Sequence, residues 1–244
     1  MYDRSVTTPL GVDRYRHVVV LTGAGVSRAS GLPTYRGEGG LWTQGDTVRN
    51  SDGATMAADP EAVLRFFLPW RRQIQAVAPN PAHTALAAAE ARRGPGTSFT
   101  VITQNIDRLH QRAGNQDVIE IHGSLFRSRC TACDLPAFDD DRADVELLPR
   151  CERCQALLRP DVTLFGEMPP ARADHDAKRA LRTCDLFVAI GTSGLVWPAA
   201  GFVRGAAYAG ARCVYVNLDP LDDATDFRES FLGKAEELVP ALFG

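Results

Sequence analysis

The sequence predicts an α/β protein: a doubly wound parallel sheet carrying a smaller domain made from insertions. Two observations lead to this class. Five short apolar runs recur along the chain, at His17 to Thr22, Phe99 to Thr103, Val118 to Ile121, Leu186 to Ile190 and Arg212 to Val216. Most are continuous rather than alternating, as expected of parallel strands covered on both faces. Helical patterns lie between several of them, and strands alternating with helices give a doubly wound sheet.

Taken in order, each element has a local cause. Asn80-Pro81 opens a helix, with Asn as N-cap and Pro in the first turn, before Ala82-His83-Thr84-Ala85-Leu86; Gly94-Pro95-Gly96 ends it. Further helices are expected over Ala173 to Arg182 and from Pro198 through Tyr208. Two stretches break the rhythm. Residues 32 to 79 carry loop signals (Gly37-Glu38-Gly39-Gly40, Gly45-Asp46, Ser51-Asp52-Gly53) and then a helical segment, Asp59 to Val77. Residues 126 to 159 hold four cysteines around an acidic, strandless loop, Asp139-Asp140-Asp141. The expected division is a Rossmann-like domain from 1–31, 80–125 and 160–244, a cofactor loop and helical insertion at 32–79, and a metal-binding module at 126–159.

Composition narrows the function classes. Of 244 residues, 45% are hydrophobic and 23% charged, enough for a sizeable core. A net charge of -3 supplies no strong positive field for nucleic acid or an anionic membrane. The start, Met1-Tyr2-Asp3-Arg4-Ser5-Val6, lacks a basic segment followed by an apolar one, and the longest apolar runs are too short to cross a bilayer. A cytoplasmic location is the expectation.

Cys130-x-x-Cys133 and Cys151-x-x-Cys154 stand 17 residues apart. Two such hairpins can present four thiolates to one Zn²⁺, and a four-thiolate site leaves no open position for water, so its role is structural. Redox dithiols or incidental cysteines are the bland alternative. Cys184 and Cys213 read as small buried hydrophobes.

The strand ends carry the functional signal. They run into Thr22-Gly23-Ala24-Gly25, Thr103-Gln104-Asn105-Ile106-Asp107, His122-Gly123, Gly191-Thr192-Ser193 and Asn217-Leu218-Asp219. Ligands of open α/β sheets bind beyond the carboxyl ends of the strands, so five polar ends predict one composite cofactor site. Gly23-Ala24-Gly25-Val26-Ser27 suits a phosphate-binding turn, two glycines letting the backbone approach a pyrophosphate. Alone it is weak: Arg28 replaces the third glycine of the dinucleotide fingerprint, and a plain glycine turn reads equally well.

Gly23-Ala24-Gly25-Val26-Ser27, Ser30-Gly31-Leu32-Pro33-Thr34-Tyr35-Arg36-Gly37, Thr103-Gln104-Asn105-Ile106-Asp107, His122-Gly123, the paired cysteines, Phe165-Gly166-Glu167, Gly191-Thr192-Ser193 and Asn217-Leu218-Asp219 occur in one order over residues 18 to 240. In this the chain resembles the sirtuins, NAD-dependent protein lysine deacylases, and is nearest the bacterial class III-like members. The resemblance implies transfer of an acyl group from lysine to the ADP-ribose part of NAD, with release of nicotinamide and O-acyl-ADP-ribose. The amide oxygen attacks the ribose carbon that held nicotinamide; a base then removes a ribose hydroxyl proton. It implies His122 as that base, with Asn105 and Asp107 as its catalytic companions on the ribose and carboxamide of NAD. It also implies cofactor contacts at Gly23, Ala24, Gly25, Ser27, Thr34, Tyr35, Arg36, Trp42, Gln104, Ile106, Gly191, Thr192, Ser193, Asn217, Leu218, Asp219 and Ala235. The peptide substrate would add as a strand between Val162, Phe165, Gly166 and Glu167 on one side and Gly194, Leu195 and Val196 on the other. For Phe165 and Val196 a plain core role competes. His17, His83, His110 and His175, without motif company, read as ordinary core or surface residues.

Two departures bear on the acyl group. Tyr35 stands where most sirtuins have Phe, and Thr34 where many have Asp, as in the subgroup that removes acidic acyl groups. That subgroup binds the acyl carboxylate with a Tyr and an Arg three residues apart; here those positions fall on Phe67 and Trp70. Neither can pair with a buried carboxylate, so neutral acyl groups are expected, acetyl above all. Arg65, Arg71 or Arg72 would restore acid binding if Pro69 shifted the helix register. Desuccinylation, mono-ADP-ribosylation or NAD hydrolysis, and an idle NAD sensor or zinc-ribbon adaptor are the rivals. A nucleic-acid reader is disfavoured by Asp134, Asp139, Asp140, Asp141, Asp144 and Glu146.

Overall fold

The computed structural model describes residues 8–34, 45–143, 148–192, 199–221 and 226–244. In chain order the elements are β1 (His17–Thr22), α1 (Gly45–Asn50), α2 (Gly53–Ala58), α3 (Pro60–Ala76), α4 (Pro81–Ala91), β2 (Ser98–Thr103), α5 (Leu109–Ala113), β3 (Val118–Glu120), β4 (Gly123–Cys130), β5 (Phe138–Asp139), β6 (Leu158–Val162), α6 (Ala171–Arg182), β7 (Leu186–Ile190), α7 (Phe202–Tyr208), β8 (Arg212–Asn217), β9 (Glu229–Leu232) and α8 (Ala235–Phe243). A 3-10 helix, Ala24–Ser30, follows β1.

The apolar runs become a parallel sheet in the order β3-β2-β1-β7-β8-β9. From β1 the chain moves outward to β2 and β3, then returns to β7 on the other side and proceeds to β8 and β9. The switch point therefore lies between β1 and β7, where such sheets open a crevice at their carboxyl ends. Register sharpens this: Thr22 pairs with Thr103 and Ile190, and Ile190 with Val216. Four strands end level, so their loops share one edge.

Alternate residues of each strand feed opposite cores. Val18, Val20, Val101, Val188 and Val214 pack with Leu86 of α4 and Val239, Leu242 and Phe243 of α8. Val19, Leu21, Ile102, Phe187 and Tyr215 pack with Leu181 of α6 and Phe202 and Ala206 of α7. A third core, with Val63, Phe67 and Ile74 of α3 against Leu109, Leu125 and Val162, lies under the helical insertion.

Helix α3 begins on Asp59, whose side chain accepts from Ala62 N–H at 3.1 Å, and runs through Pro69 without interruption. Asn80 caps α4 as expected, and His83 completes a capping box by accepting from Asn80 N–H. Three expectations are corrected. Of the loop signals, Gly45-Asp46 lies in α1 and Ser51-Asp52-Gly53 is a helix boundary, where Asp52 caps α2 by accepting from Ala54 and Thr55 N–H. The acidic segment is not strandless, because Phe138–Asp139 pairs antiparallel with β4 in a second sheet, β5-β4-β6. A sixth parallel strand, β9, lacks a clear apolar run because it sits at the sheet edge and fully buries only Phe231. Among the described residues no helix is long and apolar enough to cross a membrane.

Candidate active site at the strand ends

The turns after β1 and β7 interlock. Gly25 N–H donates to Gly191 O at 2.9 Å, and Gly23 N–H to Ile190 O at 3.1 Å. A Cβ on Gly25 would lie 2.7 Å from Gly191 Cα. One on Gly191, where φ is +59°, would meet Val26 N at 2.5 Å. The space that these glycines open is thus filled by the neighbouring turn's backbone. Loop packed against loop demands small residues at Gly23 and Gly25, a reason additional to the expected approach of a pyrophosphate. Ala24 is half-buried beside them.

Beneath the turns lies a buried polar network. Asn105, at the end of β2, donates from Nδ2 to Gly23 O and to Ser27 Oγ, both at 3.1 Å. Ser27 in turn donates to Asp107 Oδ2 at 2.7 Å, while Asp107 Oδ1 accepts from Leu109 N–H at 2.9 Å. Burial pushes the Asp107 carboxyl up, against the pull of these two donors. His83 Nδ1 accepts from Asn80 N–H at 3.3 Å, which places its proton on Nε2, 3.5 Å from Ser27 Oγ. His110 Nε2 lies 2.9 Å from Thr22 Oγ1, which donates to Thr103 Oγ1 at 2.9 Å; Thr103 also takes Asn105 N–H. The two imidazole rings lie with their centroids 4.8 Å apart, tilted by 56°. Burial lowers His83 to about 4 and His110 to about 3, so both are neutral at physiological pH.

His83 and His110 are core residues, as their lack of motif company suggested. They nevertheless touch the site, His110 through Thr22 and His83 through Ser27. The signal was available in position: His110 follows Asp107 by three residues, and His83 completes the cap of the helix that abuts Ser27.

His122 occupies the bend between β3 and β4. Its Nδ1 lies 3.0 Å from Gln104 O. A carbonyl only accepts, so Nδ1 carries the proton and Nε2 holds the lone pair. Burial lowers the His122 pKa and so favours the neutral ring, partly opposed by the hydrogen bond to the Gln104 carbonyl. The bend requires Gly123, with φ +77°: a Cβ there would sit 2.0 Å from Asp161 O. His122 O accepts from Thr163 N–H at 2.9 Å, joining this bend to the turn after β6.

Further along the edge, Gln104 Nε2 donates to Thr192 Oγ1 at 2.7 Å, and Asn217 Nδ2 to Thr192 O at 3.0 Å. Asn217 Oδ1 accepts from Leu218 N–H at 2.9 Å. Ile106 is half-buried, Leu218 and Asp219 are exposed, and Ala235 is buried at the start of α8. Thr34 is half-buried. Tyr35, Arg36, Trp42, Ser193, Gly194, Leu195 and Val196 lie outside the described residues.

On the insertion side, Phe165 is exposed and its backbone bridges to the segment before α2: Phe165 N–H donates to Ser51 O at 2.8 Å and Phe165 O accepts from Gly53 N–H at 2.9 Å. Gly166 follows in the same turn. Val162 is buried in the third core. Glu167 turns inward, its carboxylate accepting from both terminal nitrogens of Arg159 at 2.6 and 3.1 Å. Phe67 is buried and Trp70 half-buried, with Phe66 ringed against both at 5.1 and 6.1 Å. Arg71 is fully buried and its guanidinium is committed to Leu125 O, Arg142 O, Arg127 O, Ser128 Oγ and Asp140. Arg65 points outward to Glu61.

The four predicted cysteines converge, all sulfurs within 4.8 Å of one another, with Cys130–Cys154 at 3.4 Å and Cys133–Cys151 at 3.7 Å. A tetrahedral Zn²⁺ with bonds near ~2.3 Å would hold sulfurs about 3.8 Å apart, so the set fits that ion. Cys130 accepts from Ala132 and Cys133 N–H at 3.4 Å, and these bonds lower its pKa to about 6, favouring the thiolate that binds metal.

A model of the Sir2 family matches residues 23–198. An NAD-dependent protein deacylase of Vibrio cholerae is 44% identical over 235 residues, covering 93% of this chain and 92% of that protein. The mitochondrial NAD-dependent protein deacylase sirtuin-5 of Danio rerio is 40% identical, covering 92% of this chain and 81% of its own length. Among solved structures, a Sir2 homologue in complex with NAD superposes with a TM-score of 0.86 at 37% identity, over 95% of this chain and 90% of that one. On sequence and fold together, the chain belongs to the Sir2 family.

Proposed function

We propose that this chain is an NAD-dependent protein lysine deacylase in which His122 is the base, and one observation carries the assignment. Nδ1 of His122 is committed to the Gln104 carbonyl, and burial keeps the ring neutral, so Nε2 is available to take a proton. NAD, when bound, supplies an electrophilic ribose carbon with nicotinamide as leaving group. The strand-end residues fit a ligand rich in hydroxyl and amide groups, being mostly amide, hydroxyl and carboxylate donors and acceptors. Asn105 and Asp107, stiffened by Ser27, would hold the ribose and carboxamide. Gln104, Thr192, Asn217 and the 23–25 turn would hold the rest of the dinucleotide, with Leu218, Asp219 and Ala235 at its far end. Thr34, Tyr35, Arg36, Trp42 and Ser193 complete this assignment from the family pattern.

The partner is an acylated lysine of a protein, laid along Val162 to Glu167 and Gly194 to Val196. The acyl group is neutral: Phe67 and Trp70 offer no countercharge, and the Arg71 guanidinium is already engaged within the protein. The division into 1–31, 80–125 and 160–244 against the 32–79 insertion and 126–159 module follows the same reading, as does a cytoplasmic location without nucleic-acid or membrane partners. Mass spectrometry of products from NAD plus acetyl-, crotonyl- and succinyl-lysine peptides tests it. Nicotinamide and O-acyl-ADP-ribose in equal amounts are expected, fastest on the neutral acyl groups, with His122→Ala losing at least ~10²-fold in turnover while still binding NAD. Free ADP-ribose, ADP-ribosylated protein, or a succinyl preference would refute the corresponding part.

A further inference from the structure

One fork closes the turn on which the substrate strand is placed. Arg159, 6% exposed in β6, sends both terminal nitrogens to the Glu167 carboxylate, and Nη2 also donates to Val162 O at 2.8 Å. The guanidinium therefore grips the first and last residues of the 162–167 turn together. Glu167 returns the contact inside the turn by accepting from Leu164 N–H at 3.0 Å. Burial raises the Glu167 carboxyl, but the Arg159 and Leu164 donors outweigh it and keep it ionised.

What the turn touches gives the grip its meaning. Thr163 N–H is bonded to His122 O, and Phe165 is bonded through both backbone groups to Ser51 and Gly53. The turn thus spans from the backbone of the proposed base to the helical insertion, with the Phe165 ring exposed between them. Beyond it the fork continues as a chain of alternating charges: Glu167–Arg129, Arg129–Asp161, Asp161–Arg127, Arg127–Glu120, Glu120–Arg108 and Arg108–Asp139. Arg108 is the residue after Asp107.

We propose that Arg159 and Glu167 are positioning residues for the acylated peptide, holding the 162–167 turn at a fixed offset from His122 so that the substrate strand can dock. This rests on the deacylase reading above. Bidentate geometry is the essential property, since a lysine in place of Arg159 keeps the charge and buried position but can supply neither the planar fork nor its second bond. Glu167 acts through the fork, its carboxylate being engaged by Arg159 and Leu164 N–H.

The test uses Arg159→Lys and the isosteric Glu167→Gln in the full chain, with zinc content, melting temperature, NAD affinity, kcat and peptide KM measured together. The expected result is a KM for acyl-peptide raised on the order of ten-fold in each, with kcat and NAD affinity within about two-fold of the unsubstituted chain. The double variant should be no worse than the poorer single one, because the two side chains form one unit. Unchanged KM in both variants overturns the proposal. So does a matched loss of NAD affinity, zinc and melting temperature, or failure of both to fold, which would mark the pair as merely structural. No turnover by the unsubstituted chain on any acyl-peptide would instead overturn the deacylase reading on which the proposal rests.

Discussion

The two sheets of this protein are stabilised by different physics. In the six-stranded sheet, side chains at alternating positions are buried in two apolar cores, and the polar groups at the strand ends are mutually hydrogen-bonded. The β5-β4-β6 sheet shares one smaller apolar core with α3, and beside it stand four clustered cysteines and a dense set of arginine–carboxylate pairs. A sheet covered on both faces can position catalytic groups through the register of its strands. The smaller sheet, with less apolar area, depends more on metal and charge.

Zinc removal should break this contrast most severely. Chelation, or Cys133→Ser, is expected to abolish deacylation and expose the amides of β4 and β6 to hydrogen exchange, while β1, β2, β7 and β8 remain protected. Structural zinc contributes on the order of 10 kcal/mol to small domains. Equal loss of protection in both sheets would show that they are one cooperative unit.

Arg71→Met probes the join between the regions. Arg71 ties α3 to β4 and to Asp140, with both charged side chains 1% exposed. Removing the cation leaves Asp140 with Arg142 as its remaining cationic partner in the described contacts and strands several carbonyls. A loss of about 3 kcal/mol is expected by denaturant titration. A change below ~0.5 kcal/mol would mean that the apolar contacts of α3 suffice.

Acid should separate the regions by window, with the smallest effect. His83 and His110 titrate lower in the folded chain than in the unfolded chain. Below about pH 6.5 the unfolded state therefore binds more protons, and stability falls as pH drops towards 4. One such histidine is worth roughly 2 kcal/mol between pH 7 and 5. His83→Asn should flatten that slope in thermal melts. Asp140 and Glu167, held low by their arginines, contribute fully above the ordinary carboxylate range and lose that contribution as the pH falls through it and below. An unaltered slope would place the acid sensitivity elsewhere.

Legibility in the sequence followed the same division. The strands buried on both faces announced themselves as apolar runs, and the motifs at their ends named Gln104, Asn105, Asp107 and His122 before any coordinates. The spacing of Cys130, Cys133, Cys151 and Cys154 did the same for the metal site. Strands β5 and β9 were hidden, since two residues, or one buried phenylalanine, carry no period. His83 and His110 looked like core because they are core; only tertiary contact joins them to Ser27 and Thr22. Arg159 sits in no motif, and only tertiary contact pairs it with Glu167.

The meshing of the 23–25 turn with Gly191 carries a consequence for redesign. Two backbones in van der Waals contact form a dovetail with no side chain to trim, so the crevice cannot be widened there by substitution. Any attempt to admit a bulkier dinucleotide analogue has to work from the opposite wall, among the loops that do not mesh.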